Sequence, residues 1–188
     1  MKPTRTRRPL KPLDEAALNE LALRYVGRFA TTRAKLRAYL ARKVRERGWD
    51  GAREPNLGRM ADRFAELGYV NDEAFALAKS RSLSARGYGK RRLLDALHAA
   101  GVEEDESVTA RDLADEEAVA AALRFAKRRR IGPFGTGVEK DPRVREKSLA
   151  AMIRAGHGYK LAQAILALDP AKDANIDQIF EQLAFNCA

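Results

Sequence analysis

A helical segment that ends in glycine occurs three times along this chain. The glycines are Gly48, Gly101 and Gly156, separated by 53 and 55 residues. An apolar residue stands four positions before each glycine: Val44, Leu97 and Met152. Near-constant spacing of this kind indicates one supersecondary unit used repeatedly. The chain is therefore expected to contain three tandem helical repeats.

The middle copy, residues 86–102, has all the parts of a helical unit. A turn with two glycines opens it, Leu93, Leu94 and Leu97 follow at helical spacing, and Gly101 stands where a left-handed cap is expected. Runs of β-branched residues are scarce elsewhere in the chain. We predict an all-α fold of three tandem three-helix repeats that form an elongated, curved array. The predicted divisions are a flexible basic N-terminal arm (1–13), repeat 1 (14–71), repeat 2 (72–115), repeat 3 (116–170) and a C-terminal tail helix (171–188).

Polar residues that precede apolar stripes predict where several helices begin. The capping candidates are Asp14, Thr32, Asn71 or Asp72, and Asp141, and a break at Pro55-Asn56 precedes another helix. The apolar stripes predict that Phe29 continues the buried face of the first helix and that Val144 lies on that of the helix after Asp141. They also predict that the helix after Asp72 turns Phe75, Ala78 and Leu83 inward. The third helix of repeat 2 is expected over roughly 104–113.

Basic residues dominate the chain and are unevenly placed. The formal net charge is +10, and residues 24–47 carry nine Lys or Arg against Glu46 alone. Residues 79–92 carry six and no acid, whereas residues 103–117 hold eight acids and only Arg111. Cationic clusters that recur beside corresponding helices favour a polyanionic partner over a merely solvated surface. The candidate partner- or nucleic-acid-binding residues are Arg33, Lys35, Arg37, Arg42, Lys43, Arg86, Lys90, Arg91, Arg92, Lys127, Arg128, Arg129 and Arg130.

No arrangement of residues in the sequence predicts catalysis, a metal site or a cofactor. Cys187 has no second cysteine, and His98 and His157 lie far apart, so no metal ligand set can be assembled. The loop at 131–137 lacks a preceding strand and a Gly-Lys-Ser/Thr ending, so a plain loop is favoured over a nucleotide site. The acids at 103–106 are interpreted as a solvated run. No small-molecule substrate is predicted, and the absence of a long apolar run predicts a soluble, cytoplasmic protein without membrane contact.

The aromatic residues allow two interpretations. Tyrosine and tryptophan rings can stack on bases. However, Tyr25 falls on a core stripe, and Trp49, Tyr69 and Tyr88 stand at helix ends where rings commonly seal a unit. Packing is therefore the favoured interpretation for these four residues.

Several runs of residues resemble the RecX family, whose members regulate the RecA recombinase. They are Ala-Leu-Arg-Tyr at 22–25 with Arg-Ala-Lys-Leu at 33–36, the run from Phe64 to Ala76, Arg-Gly-Tyr-Gly-Lys-Arg-Arg-Leu at 86–93 and Gly-His-Gly-Tyr at 156–159. Together they span roughly residues 18–168. The resemblance implies an all-α array of three-helix repeats, no catalysis, and a crescent-shaped molecule that lodges in the groove of the RecA filament on DNA. It also implies inhibition of RecA in recombination and DNA repair.

Two other classes of function fit the repeats and the charge. One is a general basic helical module that binds DNA or RNA without RecA, and the other is an adaptor for a different acidic protein. In the leading hypothesis the partner is the RecA filament, and DNA is contacted directly or within the filament. The N-terminal arm and the helix after Asn175 lie outside the family resemblance.

Overall fold

The structure is a computed structural model that describes residues 11–135 and 141–168. Most of the predicted N-terminal arm, part of the loop after Phe134 and the predicted tail helix lie outside the described residues. Within the described ranges the only regular elements are helices, and an all-α fold is confirmed. The α-helices in these ranges are α1 Glu15–Val26, α2 Arg33–Arg47, α3 Leu57–Glu66, α4 Asp72–Ala85, α5 Lys90–His98, α6 Val108–Glu116, α7 Ala118–Arg129, α8 Pro142–Arg154 and α9 Tyr159–Ala167. Short 3-10 helices occur at Asp105–Ser107 and Gly132–Phe134.

Side-chain caps begin three of these helices where the sequence predicts them. Asp14, Thr32 and Asp141 each accept a hydrogen bond from a backbone N–H in the first turn of α1, α2 and α8. Asn56 does the same for α3, directly after the predicted break. These four interactions are local, which explains why the sequence alone is sufficient to locate them.

Three clusters of buried apolar residues lie in the described part of the chain. One is formed by α1, α2 and α3, one by α4, α5 and α6, and one by α7, α8 and α9. The chain divides into two compact units, residues 1–72 (unit 1) and 73–188 (unit 2), so that unit 2 contains the second and third clusters. This grouping is consistent with three-helix repeats, and the repeat boundaries themselves stay a prediction.

In unit 1, the chain before α1 is part of the core. Leu13 is fully buried, its N–H donates to the carbonyl oxygen of Gly48, and its carbonyl oxygen accepts from Asp50. Both bonds belong to an isolated bridge between Leu13 and Trp49. Basic residues and proline predict a flexible arm up to residue 13. The last residue of that arm, Leu13, instead packs in the core of unit 1 and pairs with the connection between α2 and α3.

Three predicted apolar faces differ from the structure. In α4 Leu83 is buried as predicted, but Ala78 is exposed, and Ala76 and Ser80 are buried in its place. Phe29 lies beyond the end of α1 and is 57% exposed, and Val144 is 40% exposed. In α4 the buried Ser80 hydroxyl donates to the carbonyl oxygen of Ala110 at 2.8 Å, a long-range bond that an apolar pattern cannot indicate.

The third helix of repeat 2 begins later than predicted. A 3-10 turn occupies Asp105–Ser107, and α6 runs from Val108 to Glu116. Its buried residues are Ala110 and Ala114. Both are small and give a weak hydrophobic signal, so the sequence does not define the start of the helix well. The predicted start, near residue 104, is therefore about one turn too early.

The three aligned glycines all adopt positive φ angles: 83° at Gly48, 67° at Gly101 and 94° at Gly156. After Gly101 and Gly156, the next N–H donates to the carbonyl oxygen five residues back, which is the Schellman pattern. Gly48 instead leads into the bridge with Leu13. The predicted cap geometry is therefore confirmed at Gly101, and the first copy of the unit ends differently.

Two turns of unit 2 meet backbone to backbone. The N–H of Gly89, before α5, donates to the carbonyl oxygen of Ala155 at 3.0 Å, and the N–H of Arg91 donates to that of Gly156 at 3.2 Å. A Cβ added to Gly89 would lie 2.3 Å from the Gly156 oxygen. The α4–α5 and α8–α9 turns can therefore approach this closely only because Gly89 has no side chain.

We expect Gly89→Ala to destabilise the protein by about 1–3 kcal/mol, the range for overpacking a tight contact. Gly158→Ala is the matched control. Both glycines precede helices, have no capping side chain and have ordinary φ angles of −86° and −65°. No atom lies within 4 Å of a Cβ added at Gly158, so its replacement should change stability by less than about 1 kcal/mol. Chemical denaturation measures both, and equal losses would contradict the close approach.

Candidate functional site

Tyr88 lies between the two apolar clusters of unit 2 and packs against both. It stands in the α4–α5 turn, where Gly87 has a φ of 76° and the N–H of Tyr88 donates to the carbonyl oxygen of Leu83 at 3.0 Å. The turn thus fixes the backbone of Tyr88, and the two clusters hold its ring.

Three arginines surround the Tyr88 ring. The guanidinium carbons of Arg86, Arg92 and Arg128 lie 5.2, 5.9 and 5.9 Å from the ring centre. Arg128 also donates a hydrogen bond to the carbonyl oxygen of Arg86. These distances are within the range of cation–π attraction, so the ring partly offsets the repulsion among the three charges.

A second ring, Phe125 of α7, extends the group. Arg128 and Arg129 lie 5.4 and 5.7 Å from its centre. Arg86, Arg92, Arg128 and Arg129 therefore form one group on the two rings, which we name the arginine cluster. All four are exposed, and none forms an ion pair with an acid among the described residues.

The chemistry of the arginine cluster suits an anion that carries several oxygens. A guanidinium presents donors in a planar fork that matches phosphate and carboxylate, and it stacks on aromatic rings without losing those donors.

No group of three or more His, Cys, Asp or Glu side chains in the described ranges could hold a metal ion. None of the helices described is long and apolar enough to cross a membrane.

The other predicted site residues of unit 2 are not in the arginine cluster. Lys90 pairs with Asp115 at 2.5 Å between Nζ and Oδ2, so an acid already neutralises its charge. Arg91, Lys127 and Arg130 are exposed to solvent. Of the eight predicted residues in this unit, the structure brings four together on aromatic rings.

In unit 1 several of the predicted cations have acidic partners. Arg33 faces Asp72, whose buried carboxylate accepts the Arg33 backbone N–H at 3.0 Å and lies 3.6 Å from its Nε. Arg42 and Lys43 both pair with Glu46. The hydrogen bond from Lys43, together with the nearby positive charges, lowers the pKa of Glu46.

The remaining two predicted residues of unit 1 lie on α2. Arg37 is exposed, and Lys35 is half-buried, with its backbone N–H donating to the capping oxygen of Thr32. The residues predicted from charge alone therefore have quite different surroundings: some are paired with acids and others are exposed to solvent.

The two rings are not recognisable as part of the site from the sequence. The position of Tyr88 at a helix end favours packing, and the structure shows that the ring both packs and lies against arginines. The spacing of Arg86 and Arg92 around Tyr88 was a visible signal. Arg128 and Phe125 come from a distant helix, α7, and no local pattern connects them with Tyr88.

His157 lies beneath the arginine cluster and is 5% exposed. Its Nε2 lies 3.1 Å from the carbonyl oxygen of Gly87, to which the N–H donates, and its ring meets Phe125 edge-on at 5.5 Å. Nδ1 is buried and has no hydrogen-bond partner among the described residues. Burial lowers the pKa of His157 below 6.5, and the charge of Arg128 lowers it further, although the bond to Gly87 opposes the shift. The folded protein therefore favours the neutral ring.

Comparison with known proteins gives consistent relatives. No protein-family model matches the chain. It is 33% identical over 175 residues to the regulatory protein RecX of Myxococcus xanthus, covering 88% of this chain and 91% of that protein. It is 34% identical over 166 residues to the regulatory protein RecX of Mycobacterium sp. strain JLS, covering 85% and 87%. The crystal structure of RecX from Lactobacillus salivarius has the same fold, with a TM-score of 0.58 and 17% identity over 80% of this chain and 93% of that one.

The environment of His157 predicts a pH dependence of stability. Its pKa is lower in the folded than in the unfolded protein. Stability is therefore complete above the unfolded value of about 6.5 and falls as the pH decreases through it, until the folded pKa is reached. We expect the free energy of unfolding to decrease from about pH 7.5 to pH 5.5, measured by urea denaturation.

Replacing the ring isolates the contribution of His157. In His157→Gln the loss of stability between these pH values should be smaller than in the wild type, whatever the absolute stability. An unchanged dependence in His157→Gln would contradict a neutral, buried His157.

Proposed function

The chain belongs to the RecX family of regulatory proteins, and from this premise we propose that it binds filaments of the RecA recombinase on DNA and inhibits them. The proposal includes a cytoplasmic, non-catalytic role in homologous recombination and DNA repair. Named relatives over most of the chain support the regulatory part. The arginine cluster is the observation on which the binding part rests.

The arginine cluster supports contact with a polyanionic filament because its charges are concentrated and unneutralised. Elsewhere in the described residues, Lys90, Arg33, Arg42 and Lys43 have acidic partners. The four clustered arginines face solvent and have no such partner among the described residues. Contact with phosphates would release counterions from the DNA and would weaken as salt increases. We propose these four as the principal contact residues, with Arg37, Arg91, Lys127 and Arg130 as additional ones.

The fold supports a role as a binding surface. Three helix triplets with separate cores, at 14–71, 72–115 and 116–170, are proposed to be three repeats that together present basic helices to the filament. We propose no reaction, cofactor or small-molecule substrate, since the cationic groups form a surface that can bind without chemistry.

A second candidate function is direct binding of DNA or RNA without RecA. The arginine cluster favours it as well, because guanidinium groups recognise a phosphodiester regardless of what else coats the strand. The two functions differ in whether RecA is needed for tight binding.

RecA ATP hydrolysis on single-stranded DNA distinguishes the two candidates. We expect the protein to inhibit hydrolysis at concentrations well below those at which it coats the same DNA without RecA, because it recognises the filament. Inhibition that begins only as bare DNA becomes coated would favour the second candidate. The two titrations should use the same DNA and the same salt concentration.

Replacing three members of the arginine cluster should weaken inhibition. For the triple variant Arg86→Gln, Arg92→Gln and Arg128→Gln, we expect the inhibitory concentration to increase by at least about tenfold, because charge-assisted hydrogen bonds each contribute about 1.5–3 kcal/mol. The salt dependence of filament binding should also become shallower, by about 2 in the logarithmic slope.

The matched control removes the same charge from the same unit. Arg143, Arg145 and Lys147 are exposed on α8, and their triple replacement by glutamine should have a much smaller effect. Circular dichroism establishes that both variants are folded. Equal inhibition by the wild type and the cluster variant would contradict the proposed contact.

A further inference from the structure

Three aromatic rings of unit 1 are in contact with one another in a row. The Tyr25 and Tyr39 rings are nearly parallel, with 4.2 Å between their centres and 12° between their planes. Phe29 meets Tyr25 at 5.4 Å in a tilted arrangement. We name these three residues the aromatic ladder. It joins α1 and its following turn to α2.

One end of the aromatic ladder is anchored and the other is open to solvent. Tyr25 and Tyr39 are half-buried and pack against the core of unit 1. Phe29 lies beyond the end of α1, where its N–H donates to the carbonyl oxygen of Tyr25 at 3.1 Å, and it is 57% exposed. The Phe29 ring is therefore exposed to solvent, while the two tyrosine rings next to it are packed against the core.

The surroundings of the aromatic ladder are strongly cationic. Arg42 and Lys43 lie 5.7 and 5.8 Å from the Tyr39 ring centre. Both also pair with Glu46, so they share one negative charge between them. Arg28, next to Phe29 in the chain, is exposed and forms no ion pair among the described residues. The whole segment 24–47 contains nine Lys or Arg and one acid. An exposed ring in so positive a segment is poorly suited to an apolar protein surface and well suited to a polyanion that carries rings of its own.

We propose that the aromatic ladder is a stacking site for single-stranded nucleic acid, with a base on the Phe29 ring and the adjoining phosphates on Arg28 and on the cations beside Tyr39. Single strands have free base faces, which stack on aromatic side chains whatever their sequence, while a basic surface holds the backbone. In a duplex those faces are already stacked on neighbouring base pairs and are closed to Phe29. The site deepens the second candidate function, direct nucleic-acid binding without RecA, and rests on it.

The test is fluorescence anisotropy of a labelled oligothymidylate, and of a labelled duplex of the same length, with the full-length protein and no RecA. Phe29→Ala should weaken binding to the single strand by about tenfold, the scale of losing one stacked base. Its binding to the duplex should change by less than about twofold. Since RecA is absent, failure of the filament proposal would not affect this result.

Further variants separate stacking from apolarity and from general effects. Phe29→Trp should retain single-strand affinity because it keeps a ring, whereas Phe29→Leu should lose it. Tyr69→Ala is the matched control, since Tyr69 is also an exposed ring of unit 1, at 54%, next to Phe64. It should bind the oligothymidylate as the wild type does.

Three results would each overturn the proposal. They are unchanged single-strand binding in Phe29→Ala, full affinity in Phe29→Leu, and an equal loss on duplex and single strand. The last result would mean that Phe29 supports binding without stacking on an exposed base, since a duplex offers none. Because Phe29 is largely exposed, these variants should fold, and their thermal unfolding curves check this.

Discussion

The architecture of unit 2 depends on the contact between two glycine turns. Backbone hydrogen bonds from Gly89 and Arg91 to Ala155 and Gly156 join the start of α5 to the end of α8. A backbone contact at this distance admits no side chain, so it fixes the two turns more closely than side-chain packing could. Tyr88 directly precedes Gly89 and His157 directly follows Gly156, so the contact helps to position both residues. The arginine cluster therefore depends partly on main-chain geometry.

The arginine cluster combines like charges that would repel one another in isolation. The rings of Tyr88 and Phe125 partly compensate this repulsion through cation–π attraction. Below them, a neutral His157 avoids adding another positive charge. A site arranged in this way is positively charged before any partner arrives, so an anion binds to prearranged donors and less side-chain entropy is lost on binding.

The sequence was sufficient for features that depend on neighbouring residues. The caps at Asp14, Thr32 and Asp141 and the turn at Gly101 each involve groups within a few positions of one another. Other contacts join residues 25 to 40 positions apart: Ser80 with Ala110, Lys90 with Asp115, and Arg128 with Tyr88. Charge clusters therefore showed where cations are concentrated, but they did not show which of these cations are neutralised by acids. Family resemblance supplied the regulatory class, which no spacing could give.

The bond from Arg33 to Asp72 has a consequence for the order in which the protein forms on the ribosome. The carboxylate that accepts the first N–H of α2 stands 39 residues further along the chain. Because the chain leaves the ribosome N-terminus first, α2 emerges while Asp72 is still behind it in the chain. Unit 1 can therefore collapse early around its apolar residues, but the start of α2 gains this acceptor only after Asp72 has also emerged. Completion of the first unit is thus coupled to the emergence of the first residue of α4.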